Sequence, residues 1–461
     1  MFDNLLPSEQ WARTQFGVAQ LGDKRRNERL VKIAQKLVNA PTGILPGAFP
    51  LWADLKAAYR FFDGGGATFE NIIQPHLEHT REACRQPGEY LIIEDNTDLD
   101  YSAHWRTEDL GIVGDGRGRG LVLHSALALK VQGWSTEGKV QGTVVGLFDQ
   151  QCRAQRLAPK GETRTESMKR ARKSDMWSAG FKGAGAPPQG SRWIYMADRE
   201  SDYHMPLNNC RLHQIDFIVR SCHDRCIADT DEYISDALAQ APVLGTNTVE
   251  LRARPGVPAR TAEVQIRAVR VDLRAPQSMA GLKDTGIVEV TEINPPQDVE
   301  PLHWILLTSL PCATLAQALW VVARYICRWW IEEYHKALKS GANVEKSQLE
   351  KAHRLESLIA VLAVVAVRLL CTKFLARSQP EGDESARNFG PQALQLLELK
   401  VGKPEGGWTN QAVLTAIARL GGYIGRKSDG PPGWLTIWRG WQRLIWMLEA
   451  VDLISGAPKC G

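Results

Sequence analysis

The sequence predicts an α/β protein with an inserted β subdomain and helical domains at both ends. Three observations carry that expectation. Two apolar runs, YLIIED at 90–95 and WIYMAD at 193–198, each end on an aspartate. Buried strands of parallel sheets read this way, and sites gather at their carboxyl ends. The stretch between Asp198 and the helical segment YICRWWIEEYHKALK at 325–339 is far too long for one connection, and it alternates Val, Ile, Leu and Arg as strands do. Before residue 66 and after about 376, apolar residues recur at helical spacing.

Taken in order, residues 1–66 read as a helical domain, with Trp11, Phe16, Leu21, Leu30, Ile33, Leu37 and then Leu55–Phe62 as its apolar positions. Asp63-Gly64-Gly65-Gly66 ends it as a hinge or turn. Thr68 can cap the next helix, whose apolar side is Phe69, Ile72, Ile73 and Leu77. The strand ending on Asp95 follows, then Leu121–Lys130 and Val140–Phe148, with Gly133 and Gly138 in the turn between them. After the strand ending on Asp198 come a helix and the strand FIVRS at 217–221. Three strands, a helix, a strand, a helix and a strand, with Asp on the first and fourth strands, is the ribonuclease-H-like plan. Strands at 247–254, 262–272, 286–293 and 302–309 form the β insertion, at about 222–310, within a central domain spanning 67–375. The C-terminal domain, 376–461, carries the stripe Trp434, Trp438, Trp441, Ile445 and Leu448, which suits either core packing or a dimer contact.

Composition sets bounds. At 461 residues, with 44% apolar and 23% charged residues, the chain suits two or three globular domains. A net charge of +4 does not by itself point to nucleic acid. Local clusters do so weakly: Lys24-Arg25-Arg26, Arg117 with Arg119, and Lys169-Arg170 with Arg172-Lys173. Nine scattered cysteines and a start without a signal-peptide pattern fit reduced thiols and a cytoplasmic protein. Cys210, Cys222-His223 and Cys226 fit no strong zinc template. The longest uncharged apolar run, Leu358–Val367, is too short for a membrane span and suits a buried helix.

On a continuous helix Tyr325, Arg328, Glu332 and Lys339 share one face, while Cys327, Ile331 and Leu338 turn to a core. The two strands and this helix would converge Asp95, Asp198 and Glu332 on one point, as catalytic groups and metal ligands. Hard cations take oxygen donors. Three carboxylates suit two Mg²⁺ ions about 3.5–4 Å apart, with Mn²⁺ as a substitute, the arrangement for in-line phosphoryl displacement. A solvated stripe with a Glu332–Lys336 pair is the plainer alternative for the helix alone.

These residues resemble the DDE cut-and-paste transposases of bacterial insertion sequences. More narrowly, they resemble the group with the Y-(2)-R-(3)-E-(6)-K signature, the IS-four family with its Tn-five-type member. The likeness also includes LGDKRRNERL at 21–30, AYRFF at 58–62, ADRESD at 197–202 and FIVRS. Later it includes EINPP at 292–296, LLTS at 306–309, LAQAL at 315–319, RWWIEEYHKALKSGA at 328–342 and AIARLGG at 416–422. The resemblance implies the ribonuclease-H-like fold and a reaction sequence of strand nicking, hairpin formation and opening, and strand transfer. It implies double-stranded DNA with terminal inverted repeats and target DNA as partners, a homodimer in the synaptic complex, no membrane, and a nucleoid-associated cytoplasmic setting. Tyr325 and Arg328 would contact phosphate or brace Glu332; Lys339 would meet the next phosphate, with Lys336 among the DNA contacts. Trp304 matches the residue that stacks on a flipped base, and Arg220 and Trp329 lie near that pocket in the family. Arg25, Arg26 and Arg60 match positions contacting the inverted repeat. His124 is expected as a core or supporting histidine rather than a ligand. Departures are Leu121 and Val122 in place of paired tryptophans and Trp330 in place of an arginine, which bear on specificity. A nuclease of the same fold that cuts without joining, and a silent inverted-repeat-binding protein, are the alternatives.

Overall fold

The computed structural model describes residues 7–40, 44–135, 138–163, 166, 173–252, 257–276, 279–378, 389–426 and 429–456. The basic run at 169–172 lies outside the described residues. Ten strands form one sheet: β1 Gly88–Asp100, β2 Gly111–Val113, β3 Gly118–Trp134, β4 Val140–Arg153, β5 Ser191–Ala197, β6 Asp216–Arg220, β7 Val243–Leu251, β8 Arg260–Leu273, β9 Leu282–Glu292 and β10 His303–Thr308. The order is β2-β3-β1-β5-β6-β10-β9-β8-β7, and β4 also pairs with β3. β1, β5 and β6 are parallel, while β3 and β4 run antiparallel to their neighbours.

Side chains alternate across a strand, so parity assigns faces. Leu91 and Ile93 of β1, Ile194 and Met196 of β5, and Ile218 of β6 join one core. Tyr90, Ile92, Trp193, Tyr195 and Phe217 join the other. Helices cover both faces, as a parallel sheet requires. The first core takes in the helices 8–62, Leu315–Ile326, Trp329–Lys336 and Ala352–Ser378. The last contains the apolar run at 358–367. Ala352–Phe374 is long and apolar enough to cross a membrane by length and composition, but 89% of its most apolar window is buried inside the fold.

Three expectations change. The inserted strands do not make a separate β subdomain: β10 pairs with β6 at Leu306↔Arg220, so they continue the central sheet to the edge strand β7. β1 does not end at Asp95 but runs on to Asp100, because residues 96–100 keep pairing with β3 through Asp100↔Gly120. The segment 325–339 is not one α-helix. The first helix stops at Ile326, and Cys327 N and Arg328 N bond three residues back, to Arg324 O and Tyr325 O. A second helix starts at Trp329 and passes into a π-helical turn at Ala337–Gly341.

The glycine turn at 63–66 is pinned rather than free. Arg354 Nε donates to Asp63 at 2.8 Å and Ser357 Oγ to Ala67 O at 2.5 Å, both from the long central helix. At the C-terminus, the stripe on helix Trp434–Gly456 packs inward. Trp434 and Trp438 join the main core, and Trp441 and Leu448 pack on the helices Pro391–Val401 and Asn410–Leu420. That is the core-packing outcome. Among its described residues, the large apolar side chains this helix exposes are instead Leu435, Trp446 and Ile454.

Candidate active site and nucleic-acid interface

The β1–β5 ladder ends at Glu94↔Ala197, so Asp95 and Asp198 come next on adjacent strands. Neighbouring strands lie about 4.8 Å apart. By parity Asp95 follows Leu91 and Ile93, and Asp198 follows Ile194 and Met196, so both aspartates share the face that Ile331 of the Glu332 helix covers. Arg328 ties the acids together: its guanidinium hydrogen-bonds Glu332 and stands 3.7 Å from Asp95 Oδ2. Burial, then the nearby Asp198 charge, pushes the Asp95 carboxyl up to about 7 despite the pull of Arg328. Asp198 caps its own turn, accepting Glu200 N–H on Oδ1 at 2.8 Å.

This donor set fits a hard divalent cation. Its atoms are carboxylate oxygens, and the negative charges of Asp198 and Glu332 add to burial in raising the Asp95 carboxyl, a cost that a divalent cation relieves. The cluster Asp202, Cys222 and His223 also offers ligand atoms within 4.8 Å of one another. The Asp202 carboxylate there is already bonded by Ser221 Oγ at 2.8 Å, Cys222 N at 2.8 Å, His223 N at 3.1 Å and Arg225 at 2.5 Å. It latches a loop. Cys210 lies in the core beneath.

Tyr325 is buried beside Arg220, Arg328, Arg199 and Asp198, and burial lifts its phenol to about 12, so it stays protonated. Arg220 donates to His303 O at 3.0 Å. Trp304 meets Tyr325 edge to face at 5.3 Å and is half-buried on β10. Trp304, Tyr325, Arg220 and the acids are thus brought to one place. Lys339 is tied down, donating to Asp98 O at 2.5 Å with Glu345 3.4 Å away. Lys336 pairs with Glu333 at 3.6 Å rather than Glu332, and its ammonium lies over the Trp329 ring, where Arg252 also stacks. His124 is fully buried on the opposite face, 3.3 Å from Glu94, as a supporting histidine would be. Burial pushes His335, near Arg328, down to about 3, so it is neutral.

Arg25, Arg26 and Arg60 converge in a groove of about 300 Å³ with Arg29, Phe61 and Gly64. The helix Lys24–Asn39 starts on the Asp23 cap, which accepts Arg25 N–H at 2.8 Å, and so aims its first turns into that groove. A Cβ on Gly66 would sit 2.7 Å from the Arg26 guanidinium, so glycine leaves room for it. Sequence reasoning missed Arg29, legible as one turn beyond Arg25, and Arg199, adjacent to Asp198 and facing the Tyr325 cluster.

Residues 8–65 match the family model described as transposase DNA-binding. The groove therefore belongs to a DNA-binding module, and the match supports a transposase.

Proposed function

We propose that the chain is a DDE cut-and-paste transposase of the YREK-signature group, built on a ribonuclease-H-like core. The observation that carries this reading is the placement of Asp95, Asp198 and Glu332 on one face beside Arg328 and Tyr325, in a chain whose N-terminal segment matches a transposase DNA-binding model. The strand order β4-β3-β1-β5-β6, in which β3 alone runs against the other four, supports the core assignment.

Asp95, Asp198 and Glu332 would hold two Mg²⁺ ions, which when bound activate the attacking hydroxyl or water and stabilise the leaving oxygen. Arg328 exchanges its carboxylate partners for a phosphate of the transposon end, a bidentate grip for which guanidinium is shaped. Tyr325 and Arg220 hold neighbouring phosphates. Lys339 reaches the next by releasing Glu345. Trp304 stacks on a base extruded when the end closes into a hairpin. The arginine groove holds the inverted repeat. Two chains pair two ends, through the exposed face Leu435, Trp446 and Ile454.

Incubating the protein with its own element's ends and Mg²⁺ tests this. A nick, a hairpin and then strand transfer of the opened end are expected. Cutting without joining, even from pre-cut ends, would make it a nuclease. Binding without cutting would make it a silent end-binding protein.

A further inference from the structure

The backbone ladder between β1 and β5 stops at Glu94↔Ala197, one residue short of the two aspartates. The β1–β5 ladder therefore constrains Asp95 and Asp198 only through the residues before them, and leaves the turn after Ala197 to be fixed by other contacts. A chain of contacts does span the gap, from Asn96 on the sheet face opposite the Asp95 side chain, by way of Glu200, to the Asp198 carboxylate. Asn96 Nδ2 donates to Glu200 Oε2 at 3.2 Å. Glu200 N–H in turn donates to Asp198 Oδ1 at 2.8 Å. Behind Asn96, its register partner His124 on β3 meets Oδ1 through Nδ1 at 3.0 Å. His124 is itself wedged between Glu94 at 3.3 Å and Trp177, edge to face at 4.9 Å. Lys173 Nζ stands 3.1 Å from the same Glu200 oxygen that accepts from Asn96.

We propose that Asn96 and Glu200 are positioning residues that lock the Asp198 turn to the Asp95 strand, and so set the site's affinity for its divalent cation. The contacts make the direction clear. Asn96 has its amide nitrogen on the carboxylate and its oxygen on the imidazole N–H, so its orientation is fixed from both sides. Glu200 is exposed and could lie anywhere in solvent, yet it lies against Asn96. Asp198 is left with Oδ1 occupied by the turn and Oδ2 for the cation. This inference rests on the metal-site reading above.

The test is Mn²⁺ binding to the full-length protein, followed by the loss of the free-ion electron paramagnetic resonance signal. Wild type should bind, and Asp95→Ala should not. Asn96→Ala and Glu200→Ala should each weaken Mn²⁺ binding about tenfold or more, the usual effect of removing support behind a metal-binding carboxylate. The double variant should be no worse than either single one, since both break the same strut. Glu200→Gln keeps the acceptor for Asn96 and should bind close to wild type. Circular dichroism and melting exclude misfolding, for which exposed Glu200 is the safer site. If wild type binds but Asn96→Ala and Glu200→Ala bind equally well, or if their losses add, the strut is overturned alone. If wild type binds no more Mn²⁺ than Asp95→Ala, the metal reading falls and the strut with it.

Discussion

Asp95→Asn should make the protein more stable while abolishing cleavage, and the gain should depend on pH in a specific way. The folded protein holds the Asp95 carboxyl at about 7, against an ordinary value near 3.8. Asparagine mimics the protonated form. Below the ordinary value the group is protonated whether the chain is folded or not, so wild type and variant should match. Between 3.8 and about 7 the unfolded chain gives up its proton while the folded chain keeps it, so wild-type stability falls as pH rises. Above about 7 the full penalty is present, on the order of 4 kcal/mol from the size of the interval. Burial is its first cause and the charge of Asp198 its second, so Asp198→Asn should recover a smaller part. Urea unfolding of both proteins in EDTA, followed across this range, reads the difference directly. Mg²⁺ should then stabilise wild type and leave the variant unmoved, because only a ligand that binds the folded state shifts the balance. A difference that is constant with pH, or a variant less stable than wild type above pH 7, would refute the reasoning.

The other predictions follow from contacts already described. Glu332→Ala and Asp198→Ala should lose cleavage but keep end binding in gel shifts, and Ca²⁺ should support complex assembly without cutting because it tolerates looser coordination. Trp304→Ala should leave the first nick intact and slow the hairpin steps; equal loss at every step would mean that its contact with Tyr325 matters only for folding. Arg26→Ala and Arg60→Ala should weaken end binding and each reduce the salt dependence by about 0.9 in log–log slope if it touches one phosphate. Lys373→Met removes the 2.6 Å partner of buried Glu333 and should cost about 3 kcal/mol in unfolding experiments, partly recovered by adding Glu333→Gln.

Much of the sheet was legible because buried strands state their faces through parity. The runs at 90–95 and 193–198 are neighbouring strands whose ladder stops just before Asp95 and Asp198. What pairs with what was not legible. Residues 96–100 look polar enough for a loop, and β3 keeps them extended. The inserted strands showed strand alternation, yet nothing in it names β6 as the neighbour of β10. The helix break at Cys327 carries no proline or glycine to announce it, so the even stripe from Tyr325 to Lys339 was an idealisation. For Arg328 the sequence left open a phosphate grip or a brace for the acid, and only the fold shows it beside both Asp95 and Glu332. The N-terminal arginines were found one by one from the sequence, but only folding shows that Arg25, Arg26, Arg29 and Arg60 line one groove.

The pinned turn at 63–67 gives the molecule a ruler. Because Asp63 and Ala67 are fastened to the same central helix that backs the acid triad, the arginine groove and the carboxylates are parts of one solid piece. On the proposed function, where the DNA is gripped would then dictate where it is cut, as the jig fixes the saw. The count of base pairs between recognised sequence and severed bond would become a dimension of the protein, held to tolerance by Arg354 and Ser357. Loosening those two fastenings should leave grip and chemistry in place and scatter the cuts along the strand.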